Sequence, residues 1–176
     1  MAKKKKSFKK EYLNDFKKDD SGKYVNTGAH RSYEGGADSW RRTMIILWIC
    51  CAVPAALLIA VGCIRNSGLL GNAFIILPYA AEMIVLFVII WKMVRLTYGG
   101  TELRKYVHDS TVIHIPVYAG VAAAIAGIAL AGIIISLITG TFSGSIAGII
   151  IYILAQVSLG AGCLVIMRMI RGMNWT

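Results

Sequence analysis

Residues 73–94 read AFIILPYAAEMIVLFVIIWKMV, with Glu82 as the one charge before Lys92. A helix of this length reaches about 33 Å at about 1.5 Å per residue. The hydrocarbon core of a bilayer is about 30 Å thick. The stretch is apolar all round rather than striped, so it reads as a helix in lipid, not as the amphipathic helix of a soluble core.

Three more stretches have this character: Thr43 to Cys63, Pro116 to Ile138 and Ile146 to Met167. The first follows 42 polar residues, so it is not read as a cleavable signal peptide. Gly/Ser/Thr-rich turns after Arg65 and after Thr139 join the spans into two helical hairpins. The expected fold is all-α: a polytopic membrane protein with four transmembrane helices. Residues 43–171 form the transmembrane domain, with a loop at 95–115. Residues 1–42 form a basic tail and 172–176 a short C-terminal extension.

Charge gives the orientation. The chain is 57% hydrophobic yet carries a formal charge of +10. Of its 19 Lys and Arg, all but Arg65 fall before Thr43, between Lys92 and Ile115, or after Met167. The positive-inside rule then places both termini in the cytoplasm. Trp40, Trp91 and Trp175 fall near the same interface, where indoles anchor helices. The segregation excludes a soluble globular enzyme, a disordered chain and a secreted disulfide scaffold. Two small outer turns suit a bacterial plasma membrane and leave no room there for a receptor or catalytic domain.

In the tail, Lys3, Lys4, Lys5, Lys6, Lys9 and Lys10 surround Phe8, Tyr12 and Phe16, which recur every four residues. That pattern predicts a short helix over 7–18 lying on an anionic inner leaflet, each Lys adding about 1 kcal/mol of attraction. The plainer reading is that these lysines enforce topology and stay solvated. Nucleic acid is not an expected partner, since no binding fold accompanies the charge. Asp19 to Asp38 reads as linker. In the middle loop, Tyr98-Gly99-Gly100 is expected to break the second span, and Thr101 to cap a short helix with Glu102 at its positive end.

Glu82 is the sharpest chemical feature. It lies nine residues into its span, about 14 Å deep. An ionised carboxylate there is costly, so the group is expected to be protonated, paired or facing a wet cavity. Gln156 lies at similar depth in the fourth span, which runs in the same direction. Tyr79 and Tyr152 precede Glu82 and Gln156 by three and four residues, so each shares a face with its partner. One reading makes this set the lining of a small ion or solute channel or transporter. The leading one makes Glu82 a protonated donor in an interhelical hydrogen bond that fixes packing.

The third span is rich in small residues. Ala119, Ala123, Gly127 and Ala131 repeat every four, with Gly120 and Ala124 beside them. The fourth span adds Gly144 with Gly148, and Ser158 with Gly162. Such rows let helix backbones approach closely, within the bundle or against another chain. Val117, Val121, Ile125, Ile128 and Ile135 form a bulky stripe expected to face lipid. Four Cys without CxxC spacing, and two interfacial His, give no metal or cofactor motif. The expected function is non-enzymatic: a structural or accessory subunit packing with itself or with another membrane protein.

An impermeant thiol reagent added outside intact cells is expected to label Cys63. An Asp38→Cys substitution should be labelled only after permeabilisation. The reverse pattern would invert the topology.

Overall fold

The computed structural model describes residues 16–18, 24–26, 30–64, 72–141 and 145–176. Lys3 to Lys10, the expected helix as far as residue 15, the turn at 65–71 and Gly144 lie outside the described residues.

In chain order the elements are β1 (Phe16–Lys18), β2 (Tyr24–Asn26), β3 (His30–Ser32), α1 (Gly36–Cys63), α2 (Ala73–Gly99), β4 (Glu102–Arg104), α3 (Lys105–Thr111), α4 (Ile115–Ile138) and α5 (Ile146–Arg171). The helices α1, α2, α4 and α5 are each long and apolar enough to cross a membrane.

Their ends follow the local chemistry. Asn72 caps α2 by accepting from the Phe74 N–H at 2.9 Å, and Ser145 caps α5 by accepting from the Gly148 N–H at 3.1 Å. Pro116 sits in the first turn of α4, where its missing N–H leaves no bond unmade. Gly100 ends α2 with φ at 66°, a conformation that disfavours any residue with a side chain.

Going round the bundle, α1 packs on α5, α5 on α4 and α4 on α2, and a thinner seam between α2 and α1 closes the ring. Helices α2 and α5 therefore stand on one diagonal. The outside is bulky and apolar: Leu77, Ile84, Phe87 and Trp91 of α2 are each more than 60% exposed. The inward face of α4 is small, with Ala119, Ala122, Ala126, Ala129 and Gly132 buried; α1, α2 and α5 bury larger side chains, among them Leu47, Leu58, Ile89 and Leu159. An apolar outside and a small-residue seam on α4 suit a bundle solvated by lipid, where close packing replaces the hydrophobic drive between helices.

Both internal prolines take part in that packing. A proline removes the N–H that would bond the carbonyl four residues back. Pro54 thus frees the Cys50 carbonyl, and Pro78 that of Phe74. A methyl group added at Gly162 would stand 2.7 Å from Cys50 O, and one added at Gly132 would stand 2.5 Å from Phe74 O. Each freed carbonyl meets a glycine on a neighbouring helix, backbone against backbone, the setting for a Cα–H···O contact.

At the basic end the structure departs from the sequence expectations. Phe16–Lys18 does not continue a helix; it pairs antiparallel with β2, with Lys17 opposite Val25. The linker contains β3, which pairs with β4, Arg31 opposite Leu103. Ser32 also exchanges both backbone bonds with Thr176, at 2.8 and 3.0 Å. Helix α1 starts at Gly36 rather than Thr43. Thr101 caps no helix: its carbonyl accepts from the Tyr33 N–H at 2.9 Å, and residues 102–104 are strand. These pairings tie tail, middle loop and C-terminal residues into one platform. Their backbone groups find partners far along the chain, which outweighs a local preference for helix. Tyr33, Trp40 and Trp175 pack together on it with ring centroids 5.4–5.7 Å apart.

Gly132→Ala and Gly162→Ala are each expected to lower stability by about 1–3 kcal/mol, because a backbone carbonyl occupies the methyl's place. Gly127→Ala meets open space and should be neutral or stabilising by up to about 1 kcal/mol. Thermal unfolding of the three variants in detergent reads this order.

Candidate functional site

The hydrocarbon-facing helices converge on one buried polar group of side chains. Glu82 is nine residues along α2, and Gln156 is ten along α5, both counted from the end of the bundle away from the platform. At about 1.5 Å per residue the two stand at nearly the same height. The fold then brings them together across the α2–α5 diagonal. Gln156 Nε2 donates to Glu82 Oε2 at 2.8 Å. Neither residue is more than 1% exposed. In this bond Glu82 accepts through Oε2.

The tyrosines join the same region. Their rings are tilted at 50° with centroids 6.5 Å apart. Tyr79 OH donates to the Leu58 carbonyl of α1 at 3.1 Å, and Tyr152 OH to the Ile75 carbonyl of α2 at 3.5 Å. Both phenols therefore bond to the backbone of another helix. Glu82 Oε1 and Gln156 Oε1 are buried with no hydrogen-bond partner.

A second polar knot, not anticipated from sequence, lies nearer the hairpin turns. Asn72 Nδ2 donates to Ser136 Oγ at 2.6 Å and to Thr141 Oγ1 at 3.1 Å. It joins the start of α2 to the end of α4. An Asn immediately before an apolar run signals a helix cap; the cross-helix partners carry no such local signal.

Burial divides the small residues of α4 between two faces. Ala119 is buried, Gly120 and Ala123 are half-buried, and Ala124, Gly127 and Ala131 are exposed. A step of four residues advances about 400° round a helix, so a strict four-residue row drifts by about 40° per step. The row 119, 123, 127, 131 accordingly winds from the core to the outside. The inward seam alternates steps of three and four, through Ala119, Ala122, Ala126, Ala129 and Ile133 to Ser136, the mean spacing that keeps a seam facing its neighbours. On α5, Gly148 and Gly162 are buried and Ser158 is half-buried, its hydroxyl donating to the Ala155 carbonyl at 2.8 Å. Val117, Val121, Ile128 and Ile135 are exposed, while Ile125 is half-buried.

The remaining reactive side chains do not gather at this site. Cys50, Cys51, Cys63 and Cys163 are free thiols. His108 Nδ1 lies 3.0 Å from Asp109 Oδ1, with its ring against Trp175, and His114 Nδ1 lies 2.8 Å from the Asp109 carbonyl. Among the described residues, no three His, Cys, Asp or Glu side chains are grouped to hold a metal ion. No protein-family model, curated protein or solved structure matches this chain.

A double-mutant cycle with Glu82→Ala and Gln156→Ala should give a coupling of about 0.6–2 kcal/mol, the range for side-chain hydrogen bonds between membrane helices. A coupling of zero would show that the diagonal bond contributes nothing to stability.

Proposed function

We propose that this chain is a small, non-enzymatic membrane protein that works by contact with another transmembrane helix, as a structural or accessory subunit. The contacting surface is the outer small-residue stripe of α4: Ala124, Gly127 and Ala131, with half-buried Gly120 at its edge. One observation carries this reading. A methyl group added at Gly127 would meet nothing within 4 Å, so the bundle itself makes no use of that glycine. A glycine inside a helix costs about 1 kcal/mol relative to alanine. The cost has a return if a further helix approaches there, since small residues allow close backbone contact. The approaching helix belongs to a second copy of the chain or to a partner subunit.

The enclosure of Glu82 supports this reading over a conduit. Its carboxyl is fully buried and held by Gln156, as in a packing contact. The segregation of Lys and Arg supports cytoplasmic termini, and the polybasic tail supports contact with an anionic inner leaflet.

Wild-type protein in native-lipid particles is expected to migrate as an oligomer or to retain a partner subunit. Gly127→Leu combined with Ala131→Leu should release a monomer with unchanged thermal stability. A wild-type chain that is strictly monomeric and brings down no partner would refute the proposal.

A further inference from the structure

The buried acid and amide leave a specific remainder. Gln156 Nε2 and Glu82 Oε2 share one bond. Glu82 Oε1 and Gln156 Oε1, the other oxygens of the same two groups, both lack a partner. If the carboxyl were ionised, both would be acceptors, and two acceptors cannot satisfy each other. A single hydrogen on Glu82 Oε1 supplies the missing donor for both at once.

We propose that Glu82 and Gln156 form a one-proton site. Glu82 Oε1–H donates to Gln156 Oε1 while Gln156 Nε2–H donates to Glu82 Oε2, closing a reciprocal acid–amide pair. Both groups are planar ends on broad terminal torsions, so the two ends can turn about the bond they already share to form the second. The pair joins α2 to α5 across the diagonal, where the helix backbones make no extensive contact.

The surroundings favour a proton over a compensating charge. Residues 43–63 of α1 and 116–138 of α4 contain no Asp, Glu, Lys or Arg. The first cation along α5 is Arg168, twelve residues beyond Gln156, or about 18 Å along the axis. Lys92 lies ten residues beyond Glu82 on its own helix, and its ammonium donates to the Ser110 carbonyl at 2.6 Å. Tyr79 and Tyr152 are titratable groups that interact electrostatically with Glu82. Both give their hydroxyl hydrogens to backbone carbonyls, so neither supplies the donor that Oε1 lacks. A hard metal cation would want about six oxygen ligands, and this contact leaves two oxygens unpartnered. The inference holds whether or not α4 meets a further helix.

Infrared spectroscopy of the full-length protein in lipid vesicles tests it. At neutral pH the wild-type spectrum should contain the C=O stretch of a hydrogen-bonded carboxylic acid. The band should move on ¹³C labelling of glutamate and vanish in Glu82→Gln. It should shift to higher wavenumber in Gln156→Leu, where the acid loses its acceptor. Glu82→Gln should retain wild-type thermal stability, because two amides can make the same reciprocal pair, whereas Glu82→Ala should lose it. If Glu82→Gln fails to fold, the isotope-sensitive acid band of the wild-type chain decides alone. A Glu82 signal found only among carboxylate bands, or no isotope-sensitive acid band, would overturn the proposal.

Discussion

Close approach of helix backbones is the constraint on which this bundle depends. Lipid tails are as apolar as the helix surfaces, so burial of Leu or Ile between helices gains little; packing distance and hydrogen bonds must hold the structure. The seam of α4 from Ala119 to Ser136, and the glycines at 132 and 162, remove the side-chain bulk that would hold the axes apart. Bulky residues also cover the outside, at Leu77, Phe87 and Val121.

The two prolines show how this constraint reaches the backbone. In water, a carbonyl freed by proline would be solvated. In hydrocarbon it must find another partner or remain costly. Cys50 O and Phe74 O find Gly162 and Gly132. The prolines in α1 and α2 and the glycines in α5 and α4 are therefore parts of one arrangement, each explaining the other. The tyrosines act in the same spirit, tying their hydroxyls to the carbonyls of Leu58 and Ile75.

Polar contacts cross the bundle where backbone contact does not. Glu82 and Gln156 are long enough to meet across the diagonal, and the Asn72–Ser136–Thr141 knot repeats the strategy nearer the turns, between neighbouring helices. At the other end the platform does the equivalent work with backbone pairing, joining residues as far apart as Ser32 and Thr176. The bundle is thus fastened near both ends and at its middle. The outer small-residue face of α4 has no such use within the bundle, since a methyl group at Gly127 would meet nothing within 4 Å.

The sequence by itself determined the four spanning helices and the height of Glu82 and Gln156. Each depends on local quantities: length of apolar run, charge position and rise per residue. It also marked α4 as the small-residue helix. Only the tertiary structure decided which of those residues face inward, because a four-residue row drifts round the helix and the neighbours select the face. It also decided that Glu82 and Gln156 meet across the diagonal, that each freed carbonyl meets a glycine, and that residues 16–18, 24–26 and 30–32 form strands. Those outcomes rest on contacts between residues far apart in the chain. Strands three residues long, like single cross-helix bonds, leave no periodicity from which to read them.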